Sequence, residues 1–186
     1  MSALSILVLG AGELGLPVIN HLWEIASSQP FTVSISALLR QSTITDPPAS
    51  KQKDISQLKR LGIQLLGGDL VGGSVSDLAS IFQSFHTVIS CTGFVGGRGT
   101  QIKIAKAVLQ AGVPLYVPWQ FGVDYDKIGR GSLQELFDEQ LDVRDLLRGQ
   151  TATQWIIVQT GMFTTFLFEP WFGVVEPSGA RVVWKG

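Results

Sequence analysis

A short apolar run, Ser5-Ile6-Leu7-Val8-Leu9, stops abruptly at Gly10-Ala11-Gly12-Glu13-Leu14-Gly15. Alone, G-x-G-x-x-G is a weak signal; between a strand and a helix it becomes informative. The helix is predicted from Glu13 to Ala26, where Leu14, Val18, Ile19, Leu22, Trp23 and Ala26 recur at helical spacing. Pro17 falls early enough to sit in or near the first turn. In such a unit Gly10 permits the tight turn, Gly12 lets a pyrophosphate approach the backbone, and Gly15 allows close helix packing. Glu13 and Leu14 then lie at a helix N-terminus, whose amides and dipole favour phosphate. The same six residues also make an ordinary βα turn, so the rest of the chain has to decide.

The rest alternates strands and helices. Further strands are expected at 31–39, 63–66, 87–90, 113–117 and 155–159, and helices at 75–85, 100–110 and from Ser132 to about Leu147. Residues 41–54, with Pro47-Pro48, read as a loop, and Ser132-x-x-Glu135 reads as a capping box. Alternation at this spacing implies βαβ units and a doubly wound, Rossmann-type parallel sheet. With 186 residues, one domain is expected. Residues 1–160 are assigned to the dinucleotide-binding domain. Residues 161–186 are aromatic-rich and read as the truncated beginning of a C-terminal substrate region, with 181–184 as a strand lacking a visible partner.

Composition narrows the function. Fourteen basic residues stand against 15 acidic ones, which removes the basic stripe of a nucleic-acid binder and the polybasic signal for a membrane surface. Hydrophobic residues at 45% and charged residues at 16% favour a buried core over disorder. No apolar run approaches the ~18 residues of a membrane span. A single cysteine, Cys91, excludes an internal disulfide and leaves too few ligands for a cysteine-built metal site. No secretory signal or N-glycosylation sequon is read, so a cytoplasmic location is expected.

Cofactor choice turns on the end of the second strand. No acidic residue occurs between Glu24 and Asp46, and the strand ends at Arg40, where a guanidinium can pair with a 2′-phosphate. NADP(H) is therefore favoured over NAD(H). Asp69 and Leu70, Thr92 and Gly93 with Phe94, and Trp119, Gln120 and Phe121 follow three more strands on the same edge, where ligands of open parallel sheets bind. Neither Tyr116 nor Tyr125 is followed four residues on by lysine, and no P-loop, zinc-protease or nucleophile-elbow motif occurs. His21 and His86 read as structural, and Cys91 as a buried thiol whose strand-end position leaves a redox role open.

G-A-G-E-L-G, Arg40, G-G-D-L at 67–70 and above all V-P-W-Q-F-G-V-D at 117–124 resemble the NmrA-like and isoflavone-reductase-like family of atypical short-chain dehydrogenase/reductases, fungal secondary-metabolism members in particular. Thr160-Gly161-Met162-Phe163 is similar to the end of its sixth strand. The resemblance implies an NADP(H)-binding domain followed by a smaller substrate region. Reductases of the family carry P-S-E-F-G where this chain has Pro118-Trp119-Gln120-Phe121-Gly122. Their catalytic lysine lies three residues after a phenylalanine; with that phenylalanine at Phe137, the lysine position holds Gln140.

Gln140 also falls within an apolar seam of Leu133, Leu136, Val143 and Leu147, with Asp138, Glu139, Asp142 and Asp145 largely off it. An inward amide needs a hydrogen-bond partner and cannot titrate. The leading expectation is an NADP(H)-dependent oxidoreductase acting on an aromatic or polyketide-like small molecule held near Phe121, Phe163 and Phe166. Gln140 would orient cofactor or substrate, and Tyr125, water or the substrate would handle the proton. The alternatives are a non-catalytic dinucleotide-binding regulator with a protein partner and a redox-neutral isomerase or dehydratase. A homodimer is compatible with each.

Overall fold

The computed structural model describes residues 4–132, 134–173, 175–176 and 181–182. Strand β1 (Leu4–Leu9) lies at the centre of a six-stranded sheet. With β2 (Val33–Leu39), β3 (Gln64–Gly67), β4 (Thr87–Ser90), β5 (Leu115–Val117) and β6 (Gln154–Trp155), the order is β3-β2-β1-β4-β5-β6. Every adjacent pair in this sheet is parallel. The chain runs outward from β1 to β3 and then crosses back to place β4 against the other side of β1. That reversal opens a crevice beyond the carboxyl ends of β1 and β4, the place where doubly wound sheets bind ligands.

Alternation along β1 explains why the strand is apolar throughout. Leu7 and Leu9 join a core with Phe82 of α4 (Val75–Phe82), Ile104 and Val108 of α5 (Thr100–Ala111), and Val143 and Leu147 of α7 (Glu135–Arg148). Ile6 and Val8 point to the opposite face, against Ile19 of α1 (Gly15–Ser27) and Ile55 and Leu58 of α3 (Ala49–Arg60). Both faces are covered, as a parallel sheet requires. No helix among the described residues is long and apolar enough to cross a membrane.

Four local expectations are corrected. Residues 41–54 are mostly helical: α2 spans Gln41–Thr45 and α3 starts at Ala49. The Pro47-Pro48 pair lies between these helices, and Pro48 is the residue before the first turn of α3, where a missing N–H costs nothing. Ser132 does not cap α7. Its hydroxyl bonds only to the backbone of Gln134, while Asp138 takes the Gly131 amide and Arg130 grips Asp142 and Asp145 at 2.7 Å each. The chain is thereby led into α7 by charge contacts, and the reciprocal Ser–acid box is formed instead by Ser74 and Asp77 at α4. Strand β6 is only two residues long, because the chain then leaves β5 for the 118–122 turn: Thr160 and Gly161 donate to the carbonyls of Phe121 and Gly122. Finally, Arg181–Val182 (β8) does have a partner, the antiparallel β7 at Val175–Glu176; Val183 and Trp184 of the expected strand lie outside the described residues.

Candidate functional site

The glycine turn closes as its spacing implies. Gly10 has φ +90°, a conformation that favours glycine, and its amide donates to the Leu38 carbonyl. A Cβ added at Gly15 would fall 2.1 Å from the Gly10 carbonyl oxygen, so only glycine lets α1 start this close to the turn. Above Gly12 nothing lies within 4 Å of an added Cβ, so the backbone faces open space. Among the described residues no side chain caps the start of α1, and its first turn carries no acidic residue. Those features fit a bound pyrophosphate.

Gly10 and Gly12 line a cleft of about 360 Å³ together with Arg40, Asp69, Leu70 and Thr92. Thr43 and Lys51 line it as well; neither was anticipated, because the segment bearing them reads as a loop. Lys51 stands in the first turns of α3 and pairs with Asp54 at 3.2 Å, while Arg40 has no ion pair among the described residues. The lining thus carries two cations, Arg40 and Lys51, beside the acids Asp54 and Asp69, and Arg40, without such a pair among the described residues, is the one that suits a phosphate on the ribose. The Asp69 carboxylate is held below the usual carboxylate range, first by the amides of Gly72 and Val71, each bonded at 2.9 Å. Its charge shapes its own loop. Cys91 lines the base of the cleft, where burial pushes its thiol up to about 12, leaving it protonated.

A second pocket, about 330 Å³ and mostly apolar, shares the same two turns as walls. Leu14 and Phe94 bound it on the cleft side, with Trp119, Phe121, Tyr125, Phe137, Phe163 and Phe166 around the remainder. Phe94 packs edge-on against Trp119 at 4.4 Å, and Phe163 against Phe166 at 5.6 Å. Gly93, at φ +61°, lies under the Trp119 ring, and its carbonyl accepts from Gln101. Glu13 lines neither space; its carboxylate accepts from the Thr165 hydroxyl at 2.6 Å, tying the glycine turn to the aromatic segment.

Helix α7 stands behind this second pocket. Gln140 is fully buried, and both polar ends of its side chain lack a partner among the described residues. Leu136 is half-buried and Val143 and Leu147 are buried as the seam requires; Leu133 lies outside the described residues. Gln120 is also fully buried, but its side chain is satisfied internally. Its Nε2 donates to the Gln140 carbonyl at 2.8 Å and its Oε1 accepts from Arg144 Nε at 2.6 Å. The side chain of Gln120 thus supports the turn from behind, through Gln140 and Arg144. Glu139, expected off the seam, is buried: its carboxylate accepts from the amides of Gly99 and Ile102 and caps α5. A carboxylate is favoured at a helix N-terminus, and that capping explains why a charge lies inside.

Comparison with known proteins places this geometry. A family model described as "NmrA-like family" matches residues 3–181. The chain belongs to the NmrA-like family. An NmrA-like family domain-containing oxidoreductase of Gibberella moniliformis is 49% identical over 172 residues, covering 92% of this chain and 56% of that protein. A crystal structure of isoflavone reductase is similar with a TM-score of 0.70 and 25% identity, over 89% of this chain and 52% of that one. AtPrR2 with NADP+ and (+)pinoresinol has the same fold at 22% identity and a TM-score of 0.70, over 90% of this chain and 53% of that one. This NmrA-like chain thus spans about half the length of the relatives it matches.

Within the family frame, Thr43, Lys51, Glu139 and Arg144 are the residues that the sequence reading missed. Only Lys51 left a readable trace: a lysine just after Pro47-Pro48, at the position a helix start would bring toward the strand end.

Proposed function

We propose that this chain is the dinucleotide-binding part of an NADP(H)-dependent NmrA-like oxidoreductase acting on an aromatic or polyketide-like small molecule. The observation that carries the reading is the pair of spaces sharing the glycine turn and the Thr92–Phe94 turn: one is lined by the glycine backbone with Arg40 and Lys51, the other is aromatic. Residues 1–160 would hold the cofactor, and residues from 161 onward would begin the cover over the substrate. A reduced nicotinamide supplies hydride to its substrate. Arg40 and Lys51 would select the 2′-phosphate, Gly12 would admit the pyrophosphate, and Trp119, Phe121, Phe163 and Phe166 would exclude water around the substrate ring.

Tyr125 lies in the aromatic pocket, and Gln140 cannot titrate. Tyr125 is accordingly the proposed acid: its O–H bond breaks, the proton goes to the substrate atom left negative by hydride arrival, and solvent reprotonates the phenolate. Gln140 favours a second reading, a dinucleotide-binding regulator without turnover, because the family lysine position holds an amide. Calorimetric titration with NADPH and NADH tests the first part. Tighter NADPH binding that Arg40→Ala removes supports the cofactor assignment, and no binding of either dinucleotide refutes it. NADPH oxidation with reducible aromatic substrates then separates the enzyme from the regulator, and a Tyr125→Phe variant with full turnover removes Tyr125 from the chemistry.

A further inference from the structure

Arg144 is a charged side chain deep in the protein, with 4% of its surface exposed. Its Nε donates to Gln120 Oε1 at 2.6 Å, and Nη1 donates to Asp126 at 2.6 Å and reaches Asp124 at 3.5 Å. Nη2 is buried without a partner among the described residues. The guanidinium carbon lies 5.4 Å from the centre of the Tyr125 ring, inside the range of a cation–π contact. The ring also meets Phe137 edge-on at 5.2 Å. Its hydroxyl rests against Gly122, where an added Cβ would come within 2.7 Å of the oxygen.

We infer that Arg144 is a positioning residue for Tyr125, holding the phenol at the wall of the aromatic pocket and stabilising the phenolate that forms when its proton leaves. The inference rests on the reading of Tyr125 as the acid. Three observations carry it. The guanidinium joins the Trp119-Gln120-Phe121 turn, through Gln120, to the short helix α6 (Tyr125–Ile128), so one side chain sets the spacing between two pocket walls. Burial makes the charge effective at this distance, because little water screens it. The guanidinium carbon lies 5.4 Å from the ring centre, within reach of a cation–π contact that leaves the in-plane N–H donors free to bind Gln120 and Asp126.

The charges around Tyr125 oppose one another in a way that allows a two-sided test. From α7, Arg144 favours the phenolate; Asp124 and Asp126, at the entry to α6 and within it, pair with that guanidinium and offset part of its charge. Lys127 is exposed and pairs with Asp124 at 3.6 Å, and Arg148 pairs with Asp126 at 2.6 Å. The 118–123 turn faces the ring with Gly122 and the uncharged Gln120, and the 159–163 segment is also uncharged. Burial raises the Tyr125 phenol above its ordinary range, and Arg144 opposes that rise.

Only two tyrosines occur in the chain, Tyr116 and Tyr125. Biosynthetic incorporation of 3,5-difluorotyrosine into a Tyr116→Phe background therefore leaves Tyr125 as the one fluorinated residue, whose fluorine signals report its titration directly at pH values where the fold survives. Arg144→Met is expected to raise the midpoint by about one pH unit. Arg144→Lys should restore part of that shift, and Asp126→Asn should move the midpoint the opposite way. Should Arg144→Met fail to fold, Arg144→Gln carries the test. An unmoved midpoint in folded Arg144→Met, or in folded Arg144→Gln, overturns the inference. Loss of turnover in Tyr125→Phe bears on the acid role alone, so the two readings fail separately.

Discussion

Gly12 and Gly15 stand three residues apart in one motif, yet the structure gives them different tasks, and alanine at each separates those tasks. At Gly15 an added Cβ lies 2.1 Å from the Gly10 oxygen and 2.9 Å from the Gly10 carbonyl carbon. Ordinary carbon–oxygen contact is about 3.3 Å, so α1 would have to retreat by more than about 1 Å. The obstacle is backbone held at φ +90°, which cannot swing aside like a flexible side chain. Overpacking of this kind costs about 1–3 kcal/mol, and the rigid obstacle argues for the upper part of that range. In a chain of 186 residues, 3 kcal/mol corresponds to a Tm lowered by about 6–12 °C. Gly12→Ala meets no atom within 4 Å and needs no positive φ, so its stability should change by less than about 0.5 kcal/mol. It should instead weaken NADPH binding by about tenfold or more, because the methyl occupies the space a pyrophosphate needs. Urea and thermal melts with calorimetric titration of both variants read the two axes. A destabilised Gly12→Ala, or a Gly15→Ala as stable as the parent, refutes the packing argument; unchanged NADPH affinity in Gly12→Ala refutes the pyrophosphate argument.

Arg40→Ala and Lys51→Ala should each lower NADPH affinity by about tenfold while leaving NADH affinity nearly unchanged, with the difference shrinking as salt rises. Competition titration at two ionic strengths checks it. Phe82 is fully buried against both α5 and the sheet, and Phe82→Ala should cost about 3–5 kcal/mol in a denaturant melt. Asp126 is held down to about 2, chiefly by Arg148 and then Arg144. Its folded value lies below its unfolded one, so its stabilisation is complete above about pH 4 and is lost as pH falls from 4 towards 2. The group is 41% exposed, and screening limits the effect to about 1 kcal/mol. Melts of Asp126→Asn and the parent should converge at pH 2 and differ at pH 6.

Where one face of the chain had to be apolar and the next turn had to be glycine, the fold was legible. Leu7 and Leu9 against Ile6 and Val8, followed by Gly10, state a two-faced strand and a tight turn with no tertiary information. Helix α3 was hidden because only Ile55 and Leu58 of its residues are buried, too few to mark a period beside Pro47-Pro48. With it went Lys51. The aromatic pocket was legible as residue types at strand ends. The inward turn of Gln120 was not, since its orientation depends on Arg144, 24 residues away. Glu139 was placed off the apolar seam for the same reason: a carboxylate gives no sign of burial until a helix start from another part of the chain meets it.

The central place of β1 has a bearing on how the molecule is made. Its partners are β2, some two dozen residues downstream, and β4, which ends at Ser90. During synthesis the segment through β3 can assemble first and leave one flank of β1 open until β4 emerges. The cleft lined by the glycine turn straddles that seam, with Gly10 and Gly12 on the early side and Thr92, Gly96 and Thr100 on the late one. A nascent chain halted before residue 90 would carry the complete glycine motif and half a binding site. A ligand that contacts both flanks gains its full set of contacts only once they have closed, and by mass action such binding favours the closed form.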